Sequence, residues 1–195
     1  MKLQVFDCDY IMVNNIPVVR IFCKDEKGGN VCVFYDKFRP YFYLHPYRNQ
    51  DISDVVYEIE KNGLEAERVK MFMPIGYSDK KEDVLKITGT DPSKISEIRE
   101  QFRKFGTPYE ADILFKYRFM SDFGIVGMGW IEAEGSSVTT QTVKTKAIQA
   151  TSIKPIDVLE NAPLKYMSLD IECISNRDLL PTPEEDPIIM ISLSF

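Results

Sequence analysis

Four hydrophobic runs, separated by polar turn residues, lie within the first 45 positions and are rich in β-branched and aromatic side chains. This pattern is typical of β-strands. Turn signals separate the runs at residues 14–15, 25–29 and 39–40. Because short turns join the successive runs, the sequence predicts a β-meander. Its four strands are residues 3–9, 17–23, 30–35 and 41–45.

Two later stretches have apolar residues three and four positions apart, which predicts amphipathic helices. The first helix begins after Asp51, a good N-cap, and ends at Gly63. Its apolar positions are Ile52, Val55, Val56 and Ile59. The second begins after Asp91 and Pro92 and ends at Gly106. Its apolar positions are Ile95, Ile98, Phe102 and Phe105. Both apolar stripes are expected to face a core.

The remaining elements are shorter. Residues 66–73, 84–88 and 109–113 are predicted strands, and residues 115–123 form a basic and aromatic helix that stops at Gly124. From residue 125 to residue 153 the pattern indicates strands and polar turns. Pro155 and Pro163 mark a connection. Two apolar strands, 166–174 and 188–195, follow it and are expected to form a hairpin around an acidic, proline-containing loop at 175–187.

The composition supports a folded α+β protein. Apolar residues make up 44% of the 195 positions and include 12 Phe and 10 Tyr, so a packed core is expected. We predict an amino-terminal domain of mixed strands and a few helices at residues 1–161, and the start of a second domain at 162–195. A hairpin alone is marginally stable. Phe195 is therefore expected to lie inside a domain of a longer parent.

Charge, cysteines and hydropathy limit the classes of function. The net charge of −6 disfavours nonspecific nucleic-acid binding, although a local basic groove remains compatible with it. The four cysteines have no C-x-x-C spacing, which favours reduced core thiols and a reducing compartment. The sequence has neither a signal-peptide pattern nor a membrane-spanning apolar run. A cytoplasmic protein without membrane contact is expected.

Asp170 and Glu172 are the first candidate chemical group. Side chains two residues apart on a strand share a face and lie about 6–7 Å apart. Carboxylate oxygens are ligands that Mg²⁺ prefers, and two metal ions can promote phosphodiester hydrolysis. A solvated pair of acids is the alternative interpretation. The flanking apolar runs are typical of a sheet buried on both faces, which favours the metal site.

Several segments carry a resemblance to a known family. Residues 166–172 read Tyr-Met-Ser-Leu-Asp-Ile-Glu, and residues 186–192 read Asp-Pro-Ile-Ile-Met-Ile-Ser. Together they closely resemble the first exonuclease motif of family B DNA polymerases. Residues 6–10, 38–43, 91–100 and 115–118 are similar to the amino-terminal domain of the archaeal members. These segments occur in the family's order across nearly the whole chain.

The resemblance implies that Asp170 and Glu172 are catalytic metal ligands of a 3′→5′ proofreading exonuclease that has a ribonuclease-H-like fold. The family's later exonuclease motifs and its polymerase palm are missing from this sequence, so the two-metal Mg²⁺ site is expected to be incomplete. The parent would be a DNA polymerase that uses DNA and deoxynucleotides, the latter only through the palm. A sliding clamp is a candidate partner of the parent. The chain alone is expected to be inactive.

A second set of residues is rigid or aromatic and lies at the ends of predicted elements, with one cation nearby. The set is Tyr10, Pro40, Tyr41, Pro92, Ile95, Ile113, Leu114, Phe115 and Arg118. Such groups can hold an unstacked base, with the cation on a phosphate. Taken without the resemblance, they are typical core or turn residues. The resemblance implies that they bind single-stranded template DNA and capture uracil in it.

Two features depart from the family pattern. Ile95 stands where the family often has a smaller Val, and the stretch between Gly124 and Pro163 is longer than in the compact archaeal enzymes. Residues 125–162 have no assigned function. A non-enzymatic single-stranded DNA or RNA-binding module is the alternative from another functional class. A structural fragment without a ligand is the third interpretation, which the acidic charge favours.

Overall fold

The computed structural model of the chain describes residues 1–74, 76–175 and 180–195. In chain order its elements are β1 (Lys2–Val13), β2 (Ile16–Asp25), β3 (Asn30–Tyr35), β4 (Tyr41–Pro46), α1 (Ile52–Lys61), β5 (Glu65–Met71), β6 (Glu82–Thr88), a 3-10 turn (Pro92–Lys94), α2 (Ile95–Phe102), β7 (Gly106–Tyr109), α3 (Phe115–Asp122), β8 (Trp130–Val138), β9 (Lys146–Ile156), β10 (Ser168–Cys173) and β11 (Ile188–Ser194). Strands dominate and helices pack beside them, so the predicted α+β class is confirmed.

Five strands close into a barrel in the order β1-β2-β3-β9-β8. β3 and β9 run parallel, whereas the other neighbouring pairs of the barrel run antiparallel. Asn14 and Asn15 form the turn between β1 and β2 with φ angles of 50° and 61°. Two-residue hairpin turns of this kind need positive φ, which Asn tolerates better than most residues. The interior is apolar and includes Leu3, Val5, Val19, Ile21, Val33, Phe119, Ile131 and Ile148.

The second sheet has the strand order β5-β6-β4-β7, with α1 and α2 packed on one face. The chain order β4-α1-β5-β6-α2-β7 is a split β-α-β arrangement. Its core contains the predicted apolar positions of both helices, together with Phe42, Leu44, Leu85 and Ile87. Phe105 lies beyond the end of α2 but still packs against this core. The two predicted apolar stripes are therefore confirmed.

The predicted four-stranded meander is correct for β1–β3 and wrong for β4. β4 leaves the barrel and pairs with β6 and β7 of the second sheet. Pro40 precedes it, and a proline has no N–H with which to extend a ladder. Phe42 and Leu44, which are 0% exposed, are buried in the core of the second sheet instead.

The predicted strand at residues 109–113 is also wrong. The strand in this region is β7, which ends at Tyr109. Glu110 has a φ of 60°, and this left-handed conformation ends the extended backbone. Residues 110–114 therefore form a loop that leads into α3. The predicted helix at 115–123 is confirmed as α3, with Phe123 as its C-cap.

The connection after β9 lies against the barrel. Gln4 is 0% exposed, and its side-chain amide donates to the Met128 carbonyl oxygen and to Asn161 Oδ1. The Gln4 side-chain oxygen accepts a 2.8 Å hydrogen bond from the Ala162 N–H. Trp130 Nε1 donates to the Glu160 carbonyl oxygen at 2.9 Å. These bonds hold residues 160–162, which we call the linker, on the barrel surface.

β10 and β11 form the predicted antiparallel hairpin, in which Asp170 lies opposite Ser192 and Glu172 opposite Met190. The expectation that this sheet is buried on both faces is wrong for this chain. Its apolar side chains on both faces are about half exposed, such as Ile171 at 47% on one face and Met190 at 56% on the other. None of the other described elements covers either face. The predicted loop at 175–187 lies partly outside the described residues.

Three of the four free cysteines, Cys8, Cys23 and Cys32, are buried in the barrel strands. Burial raises the pKa of the Cys8 and Cys23 thiols to about 12 and that of Cys32 to about 11. The predicted core thiols are confirmed for these three. Cys173 lies on the hairpin and is half-buried. Among the described residues, no helix has the length and apolar character that crossing a membrane requires.

Candidate nucleic-acid interface

A cavity of about 410 Å³ lies where β1 of the barrel meets β4, the start of α2 and the loop between β7 and α3. The structure brings all nine residues predicted to bind template onto its lining: Tyr10, Pro40, Tyr41, Pro92, Ile95, Ile113, Leu114, Phe115 and Arg118. The other lining residues are Asp9, Ser93, Ser96, Ala111, Asp112 and Lys116. Residues that lie up to 109 positions apart in the sequence thus share one concave surface.

Aromatic rings form one wall of the cavity. Tyr10 meets Phe115 edge-on, with the ring centroids 5.1 Å apart. Phe115 also packs against Phe38 at 5.2 Å, and Phe38 contacts Phe119 in the barrel core. Because this wall continues into a buried aromatic cluster, its surface is rigid before any ligand enters.

Tyr41 is fixed at its hydroxyl and on its ring. Its hydroxyl donates a 2.7 Å hydrogen bond to Asp122 Oδ2. Burial, followed by this hydrogen bond, raises the pKa of Tyr41 above its ordinary value. Lys86 Nζ lies 4.2 Å and Arg118 Cζ 4.7 Å from the ring centroid. The phenol of Tyr41 is therefore protonated, and two cations pack on its ring. Tyr41 provides the cavity with an apolar ring edge rather than a charged group.

The start of α2 forms the opposite wall. Asp91 caps the 3-10 turn by accepting from the Ser93 N–H at 2.9 Å and from its hydroxyl at 2.7 Å. These two hydrogen bonds lower the pKa of Asp91. Pro92 and the 8%-exposed Ile95 then present stiff apolar side chains to the cavity. The predicted cap is confirmed, although the first turn is 3-10 rather than α-helical.

The loop between β7 and α3 supplies the third wall. Ile113 and Leu114 are 43% and 63% exposed, which is unusual for large apolar side chains. Leu114 precedes the first residue of α3 and caps it without a side-chain hydrogen bond. An apolar ligand surface that lies on this loop would remove both side chains from water.

Arg118 is the one predicted cation, and the structure gives it a different environment from the expected one. Its Nη1 lies 2.7 Å from Glu110 Oε2, and its Nη2 donates to the Glu110 carbonyl oxygen at 3.2 Å. Burial lowers the pKa of Arg118, and Glu110 with Tyr41 and Asp122 raises it by more, so the net pKa lies above the usual value. The guanidinium is charged, but it is already paired.

The charges beside the cavity are paired as well. Asp9 accepts from Nε and Nη2 of Arg20, and Lys116 Nζ lies 3.5 Å from Asp7 Oδ1. Asp112 is exposed on the lining. The predicted set omitted Asp9, Asp112, Lys116 and the two serines. Their proximity to predicted positions was the available signal, since Ser96 is one helical turn from Pro92.

The carboxylates Asp170 and Glu172 lie on β10, far along the chain from the cavity. They occupy positions of one face, as predicted for residues two apart on a strand. Asp170 Oδ1 accepts a 3.0 Å hydrogen bond from the Ile171 N–H. Within the described ranges, no group of three or more His, Cys, Asp and Glu side chains could hold a metal ion. The pair thus offers two oxygen donors of the correct type without a third protein ligand.

Comparison with known proteins yields matches over both parts of the chain. Residues 106–195 match the family model described as DNA polymerase family B, exonuclease domain. The chain is similar to DNA polymerase 2 of Aeropyrum pernix, with 31% identity over 99% of this chain and 25% of that protein. It is also similar to the DNA polymerase delta catalytic subunit of Mesocricetus auratus, with 29% identity over 91% of this chain and 20% of that protein.

A solved structure agrees with these sequence matches. The family B DNA polymerase from the hyperthermophilic archaeon Pyrobaculum calidifontis superposes with a TM-score of 0.81 at 25% identity. The superposition covers 99% of this chain and 25% of that structure. The chain therefore spans between a fifth and a quarter of the length of these proteins.

Proposed function

Because the chain belongs to the family B DNA polymerases, we propose that its barrel and second sheet form the template-binding region of such a polymerase. The observation that carries this proposal is the cavity, which gathers nine residues from separate elements. Its lining combines aromatic rings, rigid prolines and hydroxyl groups. Single-stranded nucleic acids bind such surfaces by stacking bases on rings and placing phosphates near cations.

We further propose that the base taken up is uracil in the template strand. A cavity of about 410 Å³ accommodates a whole nucleotide, so discrimination must come from local contact with the base rather than from total volume. Ile95 is 8% exposed and held by the α2 core, which makes it a stiff neighbour for a thymine methyl group. Cytosine would present the reversed pattern of donors and acceptors on its exocyclic edge.

Fluorescence anisotropy tests this proposal on the 195-residue chain. Labelled single strands that differ only in one uracil, thymine or cytosine are titrated at one fixed, moderate salt concentration. Tighter binding of the uracil strand is expected. Equal affinity for all three strands would instead support the non-enzymatic single-strand binder. Absence of binding to every strand would contradict the template-binding role of this chain.

A substitution at Ile95 locates the preference in the cavity. Ile95→Gln places a longer polar side chain on the lining, so the ratio of uracil to thymine affinity is expected to fall to about one. Ile98→Gln is the matched control, because Ile98 packs against the same core one turn away but does not line the cavity. A preference that survives in Ile95→Gln, or disappears equally in Ile98→Gln, would exclude this placement.

We also propose that Asp170 and Glu172 are two of the metal ligands of the parent's 3′→5′ exonuclease. Their carboxylates fit the oxygen donors that Mg²⁺ takes, and when bound the metal would activate water for phosphodiester hydrolysis. The parent would use DNA and deoxynucleotides, with a sliding clamp as a candidate partner. The chain alone is expected to release no nucleotide from a 3′-labelled strand in Mg²⁺. Release of nucleotide by the unmodified chain, together with its disappearance in Asp170→Asn, would contradict the expected inactivity.

A further inference from the structure

Two cations of α3, Lys116 and Arg118, line the cavity, and a bound strand would bring phosphates close to both. Their surroundings differ strongly. The Arg118 side chain is 10% exposed, whereas the Lys116 side chain is 32% exposed. Since a phosphate is large and strongly hydrated, the more accessible cation with the weaker existing partner is the better candidate to bind it.

The Arg118 side chain is only 10% exposed, so it offers few accessible donors to a phosphate. Its Nη1 bonds to the carboxylate of Glu110 and its Nη2 to the carbonyl oxygen of the same residue. Its Nε is shielded from solvent and has no hydrogen-bond partner among the described residues. One face of the guanidinium packs on Tyr41. A phosphate that binds this group would have to compete with Glu110.

The pairing with Glu110 has a consequence for the cavity wall. Glu110 adopts a φ of 60°, a left-handed conformation that is unfavourable for a non-glycine residue. By bonding to both the side chain and the backbone of Glu110, Arg118 ties the end of β7 to α3. Residues 111–114, which lie between these two fixed points, line the cavity. The ion pair therefore sets the position of that wall.

Lys116 has the opposite character. Its ion pair with Asp7 is long, at 3.5 Å, and the Asp7 side chain is 69% exposed. Exposed ion pairs of this kind contribute little to stability. The ammonium group can exchange Asp7 for a phosphate at little cost, because it carries three donors. Of the neighbouring acids, Asp9 is already paired with Arg20.

We propose that Lys116 is the phosphate-binding residue of the cavity and that Arg118, acting through Glu110, is a positioning residue for the loop at 111–114. This inference rests on the proposed binding of single strands. It divides two effects between two neighbouring cations. Lys116 supports affinity for any strand, and Arg118 supports selection of the base. Asp112, exposed on the same lining, opposes the phosphate.

Salt titrations separate the two roles. Each phosphate contact in a single strand adds about 0.7 to the slope of log affinity against log salt. Lys116→Gln is expected to lower this slope by about 0.7, so that a fourfold rise in salt weakens binding about 2.6-fold less than in the unmodified chain. Its ratio of uracil to thymine affinity stays unchanged. Lys61→Gln, which removes a lysine ion pair with Glu58 away from the cavity, is the control for loss of one surface charge.

The Glu110→Gln, Arg118→Met double variant tests the positioning role and avoids leaving either charge unpaired. Its salt slope is expected to match that of the unmodified chain, while its uracil to thymine ratio falls. A slope that falls in the double variant and not in Lys116→Gln would overturn the proposal. The slope can be measured on thymine strands. Absence of a uracil preference in the unmodified chain would therefore contradict the proposed uracil capture and the selection role of Arg118, while the salt slope would still test the phosphate-binding role of Lys116. A chain that binds no strand would overturn both.

Discussion

The cavity and the β10–β11 hairpin contain the two sets of candidate functional residues, and they differ in how those residues are held. The cavity draws its lining from β1, β4, α2, α3 and a loop, and its rings continue into the barrel core. The two carboxylates of the hairpin lie on one strand whose apolar side chains are about half exposed. The cavity is therefore shaped by long-range packing, whereas the carboxylate pair is shaped by strand periodicity alone.

This difference separates two kinds of evidence for function. A pair of acids two residues apart shares a face of any strand, so its geometry adds little to what the sequence already implied. Nine residues that converge from distant positions could have been scattered by a different fold. Their convergence is an independent observation in favour of a binding site, although the identity of the ligand stays a prediction.

Substitutions in the two regions should have very different effects on stability. Phe119 of α3 is fully buried, and Phe119→Ala is expected to lower the free energy of unfolding by about 3–5 kcal/mol. Leu169→Ala on the hairpin should change it by less than about 0.5 kcal/mol, because Leu169 is 60% exposed. Urea denaturation followed by circular dichroism measures both. Similar losses in the two variants would mean that the hairpin is packed in solution.

Removal of the buried Gln4 side-chain amide, which joins the barrel to the linker, should lower the free energy of unfolding by an intermediate amount. Gln4→Leu leaves the Ala162 N–H and the Met128 carbonyl oxygen without their side-chain partner, and each unsatisfied buried group costs about 1–3 kcal/mol. Hydrogen exchange should accelerate at residues 160–162. Gln101→Leu, which removes an exposed hydrogen bond to Asn62, serves as the control. Unchanged exchange at the linker in Gln4→Leu would show that its other contacts are sufficient.

Alkaline pH should weaken the barrel through its buried thiols. The pKa values of Cys8 and Cys23 are raised to about 12 in the folded chain, so only the unfolded chain loses these protons near its ordinary thiol value of about 9. Stability is thus complete below pH 9 and falls as the pH rises toward 12. Tyr41 and Tyr35, whose pKa values are also raised, add to this loss.

Urea titrations between pH 8 and pH 11 test this expectation. Replacement of Cys8 and Cys23 by Ala should flatten the decline with pH, whereas Cys173→Ser on the hairpin should leave it unchanged. An identical decline in the double variant would assign the whole effect to Cys32 and the tyrosines, whose pKa values are also raised.

The smallest effect is expected at the carboxylate pair itself. Asp170→Asn with Glu172→Gln should alter the free energy of unfolding by less than about 0.5 kcal/mol, because both side chains are exposed. Affinity for single strands should also stay unchanged, since neither residue lines the cavity. A clear loss of strand binding in this variant would show that the hairpin contributes to the nucleic-acid surface.

Local patterns predicted most elements, and the misses have physical reasons. Helical periodicity located both apolar stripes, and turn residues located the β1–β2 hairpin. The strand predicted at 109–113 failed because Glu110 adopts a left-handed conformation, which its residue type does not favour. Arg118 bonds to the carboxylate and to the carbonyl oxygen of Glu110 in that conformation. These bonds connect α3 with the end of β7. Propensity alone cannot anticipate such a contact.

The same limit applies to the candidate site. The resemblance identified which residues gather at the cavity, and the structure places them together. The resemblance did not indicate which group each cation binds, because that depends on partners outside the quoted motifs. Glu110, for example, occupies no position in the predicted set, yet it engages both terminal nitrogens of Arg118. The exposure of the hairpin was equally hidden, since an apolar strand has the same sequence whether or not another element covers it.

The linker held by Gln4 has a practical consequence for building hybrid proteins. The segment that contains it, between Pro155 and Pro163, looks like a natural place to exchange one domain for another. A junction placed between residues 156 and 160 would separate Gln4 from the Ala162 N–H and Trp130 from the Glu160 carbonyl oxygen. A junction after Pro163 would keep both bonds within the donor of the barrel. Chimaeras of the second kind are the ones expected to fold without redesign.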